Sequence, residues 1–287
     1  MRHRNSIPAK FPFQEELLEL LKKQLQLHSV YVIGNIKESR YQRVNLFPRT
    51  TDSEMLVIYT LLIICHDPIS KNLGEFMDDL YNKMGKQCKV YPIIYTLNNV
   101  MDKLDYGNNF LNRIVNRTPC IYQEDESLLR FGRFRPLHHK GIYEGIQSEW
   151  NSRMKRAGYL LSMVGIIDVE EEPAAKLCIL HFTLEQICVA LTYLFWEFKP
   201  YYCSLSYLMH LCGLFTRIPQ TIFPQRAFGS QRMFYVLCNA HHQMRFKTRN
   251  EFSKKDCDKA YDLCERFFEE ATTLGERQLE NLKELHC

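Results

Sequence analysis

The first half of the chain alternates short apolar runs with helix-like patterns. Apolar residues recur at helical spacing over residues 13–27 and 73–85, which predicts two amphipathic helices. Short runs of β-branched and aliphatic residues predict strands at 29–34, 55–65 and 89–95. The run at 55–65 lacks polar alternation, which is typical of a central strand covered on both faces. The pattern therefore predicts an α/β domain built around a buried strand.

Two short helices and a domain boundary follow this region. An apolar stripe at helical spacing covers residues 97–117 and is interrupted at 106–109, which predicts two short helices. Over residues 123–141 the apolar periodicity lapses, and Gly, Pro and charged residues gather. We therefore place a domain boundary in this segment and divide the chain into residues 1–130 and 131–287.

The second half of the chain is almost wholly helical in pattern. Ser253 and Asp256 have the spacing of a capping box, and Pro173 suits the first turn of a helix. Apolar residues recur with the helical period over residues 142–166, 173–198, 205–214, 231–246 and 254–274. The pattern predicts an all-α antiparallel helical bundle, so the chain as a whole is predicted to be an α+β two-domain protein.

The composition is that of a globular chain, with 46% apolar and 24% charged residues. These fractions exclude a disordered or collagen-like chain. The longest apolar run, at residues 55–65, contains one threonine and is shorter than the roughly 20 residues that cross a bilayer. The N-terminus also lacks the apolar core of a secretory signal. We therefore expect a cytoplasmic protein without a membrane partner.

The cysteines fit the same location. There are 11 of them, an odd number, and none forms a Cys-x-x-Cys pair. Scattered thiols of this kind indicate reduced, buried side chains and not a disulfide framework or a zinc site. The formal net charge of +4 neither requires nor excludes an RNA partner.

Candidate chemistry in the first domain centres on Gly34, Asn35, Asp52 and Glu54. The predicted strand ends at Gly34, where a turn without a side chain would let a phosphate approach the backbone. Asp52 and Glu54 begin the next strand two residues apart, so their side chains point to the same face. Two carboxylates on one face can share a Mg²⁺ ion with the phosphates of a nucleotide.

In this pattern the chain resembles the nucleotidyltransferase superfamily, which has a Gly-Ser turn followed by Asp-x-Asp at the start of a strand. Gly34 and Asn35 occupy the positions of the turn, and Asp52 and Glu54 occupy the acidic positions. The resemblance implies a mixed sheet with helices, a bound nucleoside triphosphate and Mg²⁺. It also implies that Asp52 and Glu54 are metal-ligating and catalytic.

The third carboxylate of that family is absent from the strand at 89–95. A carboxylate from elsewhere, such as Asp78, Asp79 or Asp102, could complete a metal site. Three interpretations stay open for Asp52 and Glu54: a solvated strand start without a ligand, nucleotide binding without turnover, and active nucleotidyl transfer.

The helical half resembles the HEPN family at three stretches. Residues 180–191 are similar to the family's second helix, and residues 240–246 to the Ala-Arg-Tyr segment of its fourth helix. Residues 200–208 are similar to its His-Asn-Leu turn, with Cys203 in place of His. The resemblance implies nucleotide or RNA binding in a defence or toxin–antitoxin setting, and a homodimer formed through the bundle.

Ribonucleases of this family carry an Arg followed by a His after four to six residues, so that an imidazole transfers protons beside a guanidinium that binds the phosphate. Here His241 precedes Arg245 by one helical turn, which is the reverse order. Arg133 and His138 have the literal spacing, but they lie in the predicted linker, where no helix holds the pair. We keep Arg245 and His241 as candidate catalytic residues, with a polar helix end or an arginine–carboxylate contact to the bundle as the alternatives. His181, on an apolar helix, is expected to be a core histidine.

The linker at residues 130–140 interleaves cations with aromatic rings, which suits contact with RNA, and a plain solvated linker is the alternative. Together these patterns predict a divergent nucleotidyltransferase–HEPN protein that binds nucleotide or RNA, with a regulatory role and a protein partner. Two alternatives are an active Mg²⁺-dependent nucleotidyltransferase that uses Asp52 and Glu54, and a metal-independent ribonuclease that uses Arg245.

Overall fold

In a computed structural model, the chain forms two compact units, residues 1–137 and 138–287. The first contains a four-stranded mixed sheet with helices, and the second is helical, which confirms the predicted α+β two-domain fold. The structure describes residues 11–41, 53–166, 172–224, 228–246 and 252–287.

The sheet of the N-terminal unit has the strand order β3-β2-β1-β4. Its strands are β1 Leu27–Tyr41, β2 Ser53–Cys65, β3 Cys88–Thr96 and β4 Cys120–Gln123. β1 pairs antiparallel with β2 and β4, whereas β2 pairs parallel with β3. A parallel pair needs a crossover, and a helix supplies it here. The helices are α1 Gln14–Gln24, α2 Leu73–Lys83, α3 Leu97–Asp105 and α4 Asn109–Arg117.

β2 is the buried centre of this unit, as predicted. Leu61 and Ile63 on one face and Leu62 and Ile64 on the other have no solvent exposure. Burial on both faces explains why this strand has no polar alternation. α1 and α2 pack against the face that carries Leu61 and Ile63.

β1 is longer than the sequence predicted. The strand was expected to stop at Gly34, but pairing with β2 continues to Tyr41 after a register shift between Val32 and Gly34. The side chains from Asn35 to Glu38 are exposed, so the apolar pattern ends although the backbone pairing does not. The predicted strand end is therefore wrong, because an exposed ribbon carries no hydrophobic signal.

The C-terminal unit consists of six helices within the described residues. They are α5 Lys140–Ile166, α6 Pro173–Trp196, α7 Leu205–Cys212, α8 Ile218–Ile222, α9 Phe228–Phe246 and α10 Lys254–His286. The predicted capping box is present at the start of α10. Ser253 Oγ accepts from the Asp256 N–H at 3.2 Å, and the Asp256 carboxylate accepts from the Ser253 N–H at 3.0 Å. α10 continues beyond the predicted end at residue 274.

α6 is the central helix of this unit and is buried on most of its surface. Its apolar composition and length would suffice to cross a membrane, with a mean hydropathy of 1.6 over the most apolar window. Of that window, 67% is buried inside the protein. Packing against α5, α9 and α10 therefore accounts for the apolar character of α6.

The segment around the predicted domain boundary belongs to the N-terminal unit. Leu129–Arg133 forms a 3₁₀ helix, and the unit ends at Leu137. Arg130 Nη2 lies 3.3 Å from Asp105 Oδ2, and the Arg130 guanidinium lies 4.5 Å from the centre of the Phe131 ring. The cation-rich segment is therefore attached to its own unit by side-chain contacts.

Three asparagines on one face of α4 hold this segment through hydrogen bonds to its backbone. Asn109 makes two of them with Leu137: Nδ2 donates to the carbonyl O at 2.9 Å, and Oδ1 accepts from the N–H at 2.7 Å. The other two join Asn112 Nδ2 to Phe134 O at 3.2 Å and Asn116 Nδ2 to Phe131 O at 3.3 Å. These contacts satisfy the backbone polar groups of a segment without ladder pairing.

Candidate functional site

Gly34 and Asn35 lie inside β1, so the predicted phosphate-binding turn is wrong. Gly34 is paired with Thr60, and Asn35 is paired with Tyr59. The register shift between Val32 and Gly34 marks a β-bulge, where glycine is frequent. The glycine therefore serves strand geometry.

Glu54, the member of the acidic pair that the structure describes, does not come close to Gly34. Asp52 lies outside the described residues, and only the backbone of Glu54 is described, opposite Arg40. Because Gly34 is opposite Thr60, Glu54 lies six residues away along β2, which is about 20 Å. A magnesium ion held between the Glu54 carboxylate and a phosphate on Gly34 does not fit this separation, so we derive no step through Mg²⁺ or a nucleoside triphosphate.

The three carboxylates proposed to complete a metal site lie on helices. Asp78 and Asp79 are on α2, and Asp102 is on α3. Asp79 is engaged by Lys83 at 2.8 Å and by Lys71 at 3.6 Å; the hydrogen bond from Lys83 is the main cause of its lowered pKa. Among the described residues, no group of three His, Cys, Asp or Glu side chains could hold a metal ion.

A cluster of histidines and carboxylates that the sequence did not single out lies where β1 begins and β4 ends. His28 is fully buried, and its Nε2 lies 2.9 Å from both Asp125 Oδ1 and Ser127 Oγ. His66 Nε2 lies 2.5 Å from Glu124 Oε2. Hydrogen bonds from Ser127 and His28 hold the pKa of Asp125 well below its usual range. Pairing of distant strands creates this cluster, and it fastens the chain beyond β4 to the sheet.

The candidate residues of the helical unit come together where α6 packs against α9. His181 is buried on α6, and its Nδ1–H donates to the carbonyl O of Leu237 at 2.8 Å. This confirms that His181 is a core histidine. The ring of His241, one turn after Leu237 on α9, lies 4.6 Å from the ring of His181. Arg245 follows His241 by a further turn on the same face.

Burial lowers the pKa of both histidines below the ordinary value of 6.5. For His241 the charge of Arg245 acts in the same direction, whereas for His181 the hydrogen bond to Leu237 opposes the shift. Both rings are therefore mainly neutral at pH 7. Because Nδ1 of His181 carries the proton, its unprotonated Nε2 faces Glu185 Oε2 at 4.0 Å, and burial raises the pKa of that carboxyl group.

Exposed aromatic rings flank these residues. Phe182 on α6 is 44% exposed, and Phe246 at the end of α9 is 65% exposed. The ring of His242, also exposed, lies 4.7 Å from the ring of Phe246. We call the surface formed by Phe182, His241, His242, Arg245 and Phe246 the α6–α9 surface. The sequence had indicated only His241 and Arg245, since the exposed rings show no periodic signal of their own.

The literal Arg-x4-His spacing does not form a helical pair. Arg133 ends the 3₁₀ helix, residues 134–139 have no regular structure, and His138 begins the second unit. By contrast, His241 and Arg245 lie one turn apart on α9, so a regular helix holds them as a pair.

Comparison with known proteins gives a weak similarity to a solved structure. No family model and no curated protein matches the chain. A nucleotidyltransferase-like protein from Exiguobacterium sibiricum 255-15 is 11% identical, with 93% of this chain and 78% of that chain covered and a TM-score of 0.27. A score this low carries no argument about site or activity, so the functional conclusion depends on the site itself.

Proposed function

We propose that this protein binds single-stranded RNA through the α6–α9 surface and acts as a regulatory binding module. The main support for this proposal is that exposed aromatic rings and a cation lie on the same surface. Phe182 and Phe246 present ring faces or edges to solvent, and the exposed Arg245 lies on α9 beside His241. Every base has a face that stacks on such rings, and a guanidinium binds a phosphate.

The neutral histidines suit the same ligand. A neutral imidazole has one hydrogen-bond donor and one acceptor, so His241 can contact ribose hydroxyls or base edges without charge repulsion from Arg245. Stacking contributes about 1–3 kcal/mol per base, which makes two exposed rings and one cation sufficient for measurable binding.

Removal of a ring or of the cation is expected to weaken RNA binding. With a labelled single-stranded RNA of about 12 nucleotides, Phe182→Ala should raise the dissociation constant about tenfold. Arg245→Gln should also weaken binding and reduce the salt dependence by about 0.7 in the slope of log K against log salt. Fluorescence anisotropy at several salt concentrations measures both effects.

Two variants serve as controls. Tyr106→Ala removes a ring that is 90% exposed on the N-terminal unit, and Arg266→Gln removes an exposed arginine from α10. Both are expected to bind RNA as the wild-type protein does. Wild-type affinity in Phe182→Ala and Arg245→Gln would show that RNA, if bound, lies elsewhere.

Metal-independent RNA cleavage is a second candidate, favoured by the 4.6 Å approach of the His181 and His241 rings beside Arg245. His241 would take the proton of a ribose 2′-hydroxyl, whose oxygen attacks the adjacent phosphorus to form a 2′,3′-cyclic phosphate. The bond from phosphorus to the 5′-oxygen breaks, and that oxygen takes a proton from water. Since the pKa of His241 is lowered, the base form is lost only as pH falls below about 6.5, so cleavage should be constant at neutral pH and decline in acid. We expect EDTA-resistant cleavage that His241→Gln abolishes; intact RNA on a sequencing gel would refute it.

Several expectations from the sequence stay proposals. They are the nucleotidyltransferase and HEPN assignments, the defence or toxin–antitoxin setting, the cytoplasmic location and the homodimer. Mg²⁺-dependent transfer by Asp52 and Glu54 is the alternative, and calorimetric titration of ATP with and without Mg²⁺ tests it. Binding that requires Mg²⁺ and is lost in Asp52→Ala would support it. Sedimentation at several concentrations tests for a homodimer.

A further inference from the structure

Two guanidinium groups of α5 converge on a single amide oxygen of α6. Arg153 Nη1 donates to Gln186 Oε1 at 3.0 Å, and Arg156 Nη1 donates to the same atom at 3.2 Å. The shared acceptor holds two positive charges side by side. None of these three residues belongs to the α6–α9 surface.

The amide of Gln186 satisfies one N–H of each arginine but leaves both charges in place. Glu149 is the carboxylate in direct contact, and it accepts from Arg153 Nε at 2.6 Å and from Lys199 Nζ at 2.8 Å. Arg156 is exposed, and no carboxylate oxygen lies within 4.0 Å of it in the described part of the chain. Arg153 and Lys199 therefore share one carboxylate, and the charge of Arg156 is not balanced by a neighbouring carboxylate of the described residues.

Glu185 is a second acidic side chain near Arg153. Its carboxyl group is mostly buried and faces the Nε2 atom of His181 at 4.0 Å. Burial raises the pKa of Glu185, and the charge of Arg153 opposes that shift. Burial and the charge of Arg153 thus act in opposite directions on this carboxyl group.

We propose that Arg153, Arg156 and Gln186 form a phosphate-binding site, in which Gln186 sets the separation of the two guanidinium groups. Like charges repel at this range, and an anion between them removes the repulsion. Guanidinium N–H groups match pairs of phosphate oxygens, and each arginine retains further N–H groups for such contacts.

The ligand that fits this site best is the phosphodiester backbone of RNA, and this assignment rests on the proposed function. Gln186 follows Phe182 by one turn of α6, about 6 Å along the helix axis. A strand with a base on Phe182 can therefore place a neighbouring phosphate on the arginine pair. A free phosphate monoester would supply the same chemistry.

Gln186→Glu is the sharpest test, because it places a carboxylate of the same shape between the arginines. Both hydrogen bonds are kept and become ion pairs, so the fold and the thermal midpoint should be preserved or improved. The added negative charge halves the net positive charge of the arginine pair, and RNA affinity measured by anisotropy should fall about tenfold. A variant that is equally stable and binds RNA and AMP as wild type would overturn the site.

Arg156→Gln and Lys155→Gln form a matched pair. Both residues are exposed on α5 and adjacent in sequence, but only Arg156 contacts Gln186. Arg156→Gln should lower RNA affinity about tenfold, whereas Lys155→Gln, which removes the same charge, should change it by less than about twofold. Equal effects of the two substitutions would mean that net charge, and not this site, governs binding.

Titrations with AMP and inorganic phosphate by calorimetry identify the source of the phosphate. Loss of RNA affinity in Gln186→Glu and Arg156→Gln supports the phosphodiester. Loss of AMP binding with unchanged RNA affinity assigns the site to a free monoester and overturns the RNA assignment. If the wild-type protein binds AMP but no RNA, the proposed function fails while the phosphate site stands. Absence of binding to RNA, AMP and phosphate overturns both.

Discussion

The Gly275→Ala variant is expected to unfold about 6–12 °C below the wild-type protein, which corresponds to roughly 3 kcal/mol in the helical unit. A Cβ atom added at Gly275 on α10 would lie 2.1 Å from Cζ2 and 2.2 Å from Cη2 of Trp150. Trp150 is buried on α5, so its ring cannot move aside without displacing other core side chains. Circular dichroism during heating measures the change.

Whether a Gly→Ala substitution raises or lowers the unfolding temperature shows whether side-chain packing or helix propensity dominates at that position. In an open helical position, replacing Gly with Ala stabilises a helix by about 1 kcal/mol. Gly145 on α5 is such a position, since nothing lies within 4 Å of a Cβ built there. Gly145→Ala is therefore expected to raise the unfolding temperature slightly, while Gly275→Ala lowers it.

A double variant tests the contact itself. Trp150→Phe withdraws the outer part of the indole ring and should destabilise the protein by leaving a cavity. In the Gly275→Ala background the same change relieves the clash, so the two effects should combine with a favourable coupling of about 1–3 kcal/mol. Additive effects, or a Gly275→Ala protein as stable as Gly145→Ala, would contradict the Trp150–Gly275 contact.

The Asn109→Ala variant is expected to release the end of the N-terminal unit. Asn109 is buried, and it makes paired hydrogen bonds at 2.7 and 2.9 Å with the N–H and carbonyl O of Leu137. Their loss should cost about 2 kcal/mol, so the Leu137 amide should exchange its hydrogen roughly 30-fold faster. Gly107, whose φ is +76° and whose added Cβ would meet Leu137 Cδ1 at 2.2 Å, helps to position the same residue.

One further substitution separates the donor and acceptor roles of Asn109, and another serves as a control. Asn109→Asp keeps the acceptor for the Leu137 N–H but loses the donor for its carbonyl O, so amide protection should be intermediate. Asn98→Ala, at an exposed position on α3, should leave the exchange of Leu137 unchanged. Wild-type protection of Leu137 in Asn109→Ala would show that the segment is held by other contacts.

Features that depend on neighbours in sequence were predictable. The buried strand at 55–65, the two short helices after β3 and the capping box of Ser253 and Asp256 were all recognised from local patterns. The placement of His241 and Arg245 on one helix face also followed from spacing alone. Gly34 was misassigned because a glycine at a bulge and a glycine at a turn look alike in sequence.

The sequence by itself therefore determined the fold class, most helices and strands, and one histidine–arginine pair, since periodic burial and capping act over a few residues. Only the tertiary structure decided that β1 continues past Gly34, that His181 meets His241, and that Gln186 joins two arginines. These contacts link residues far apart in the chain. They arise from strand register and helix packing, which depend on the summed burial of whole surfaces. The residue type at a single position therefore does not predict them.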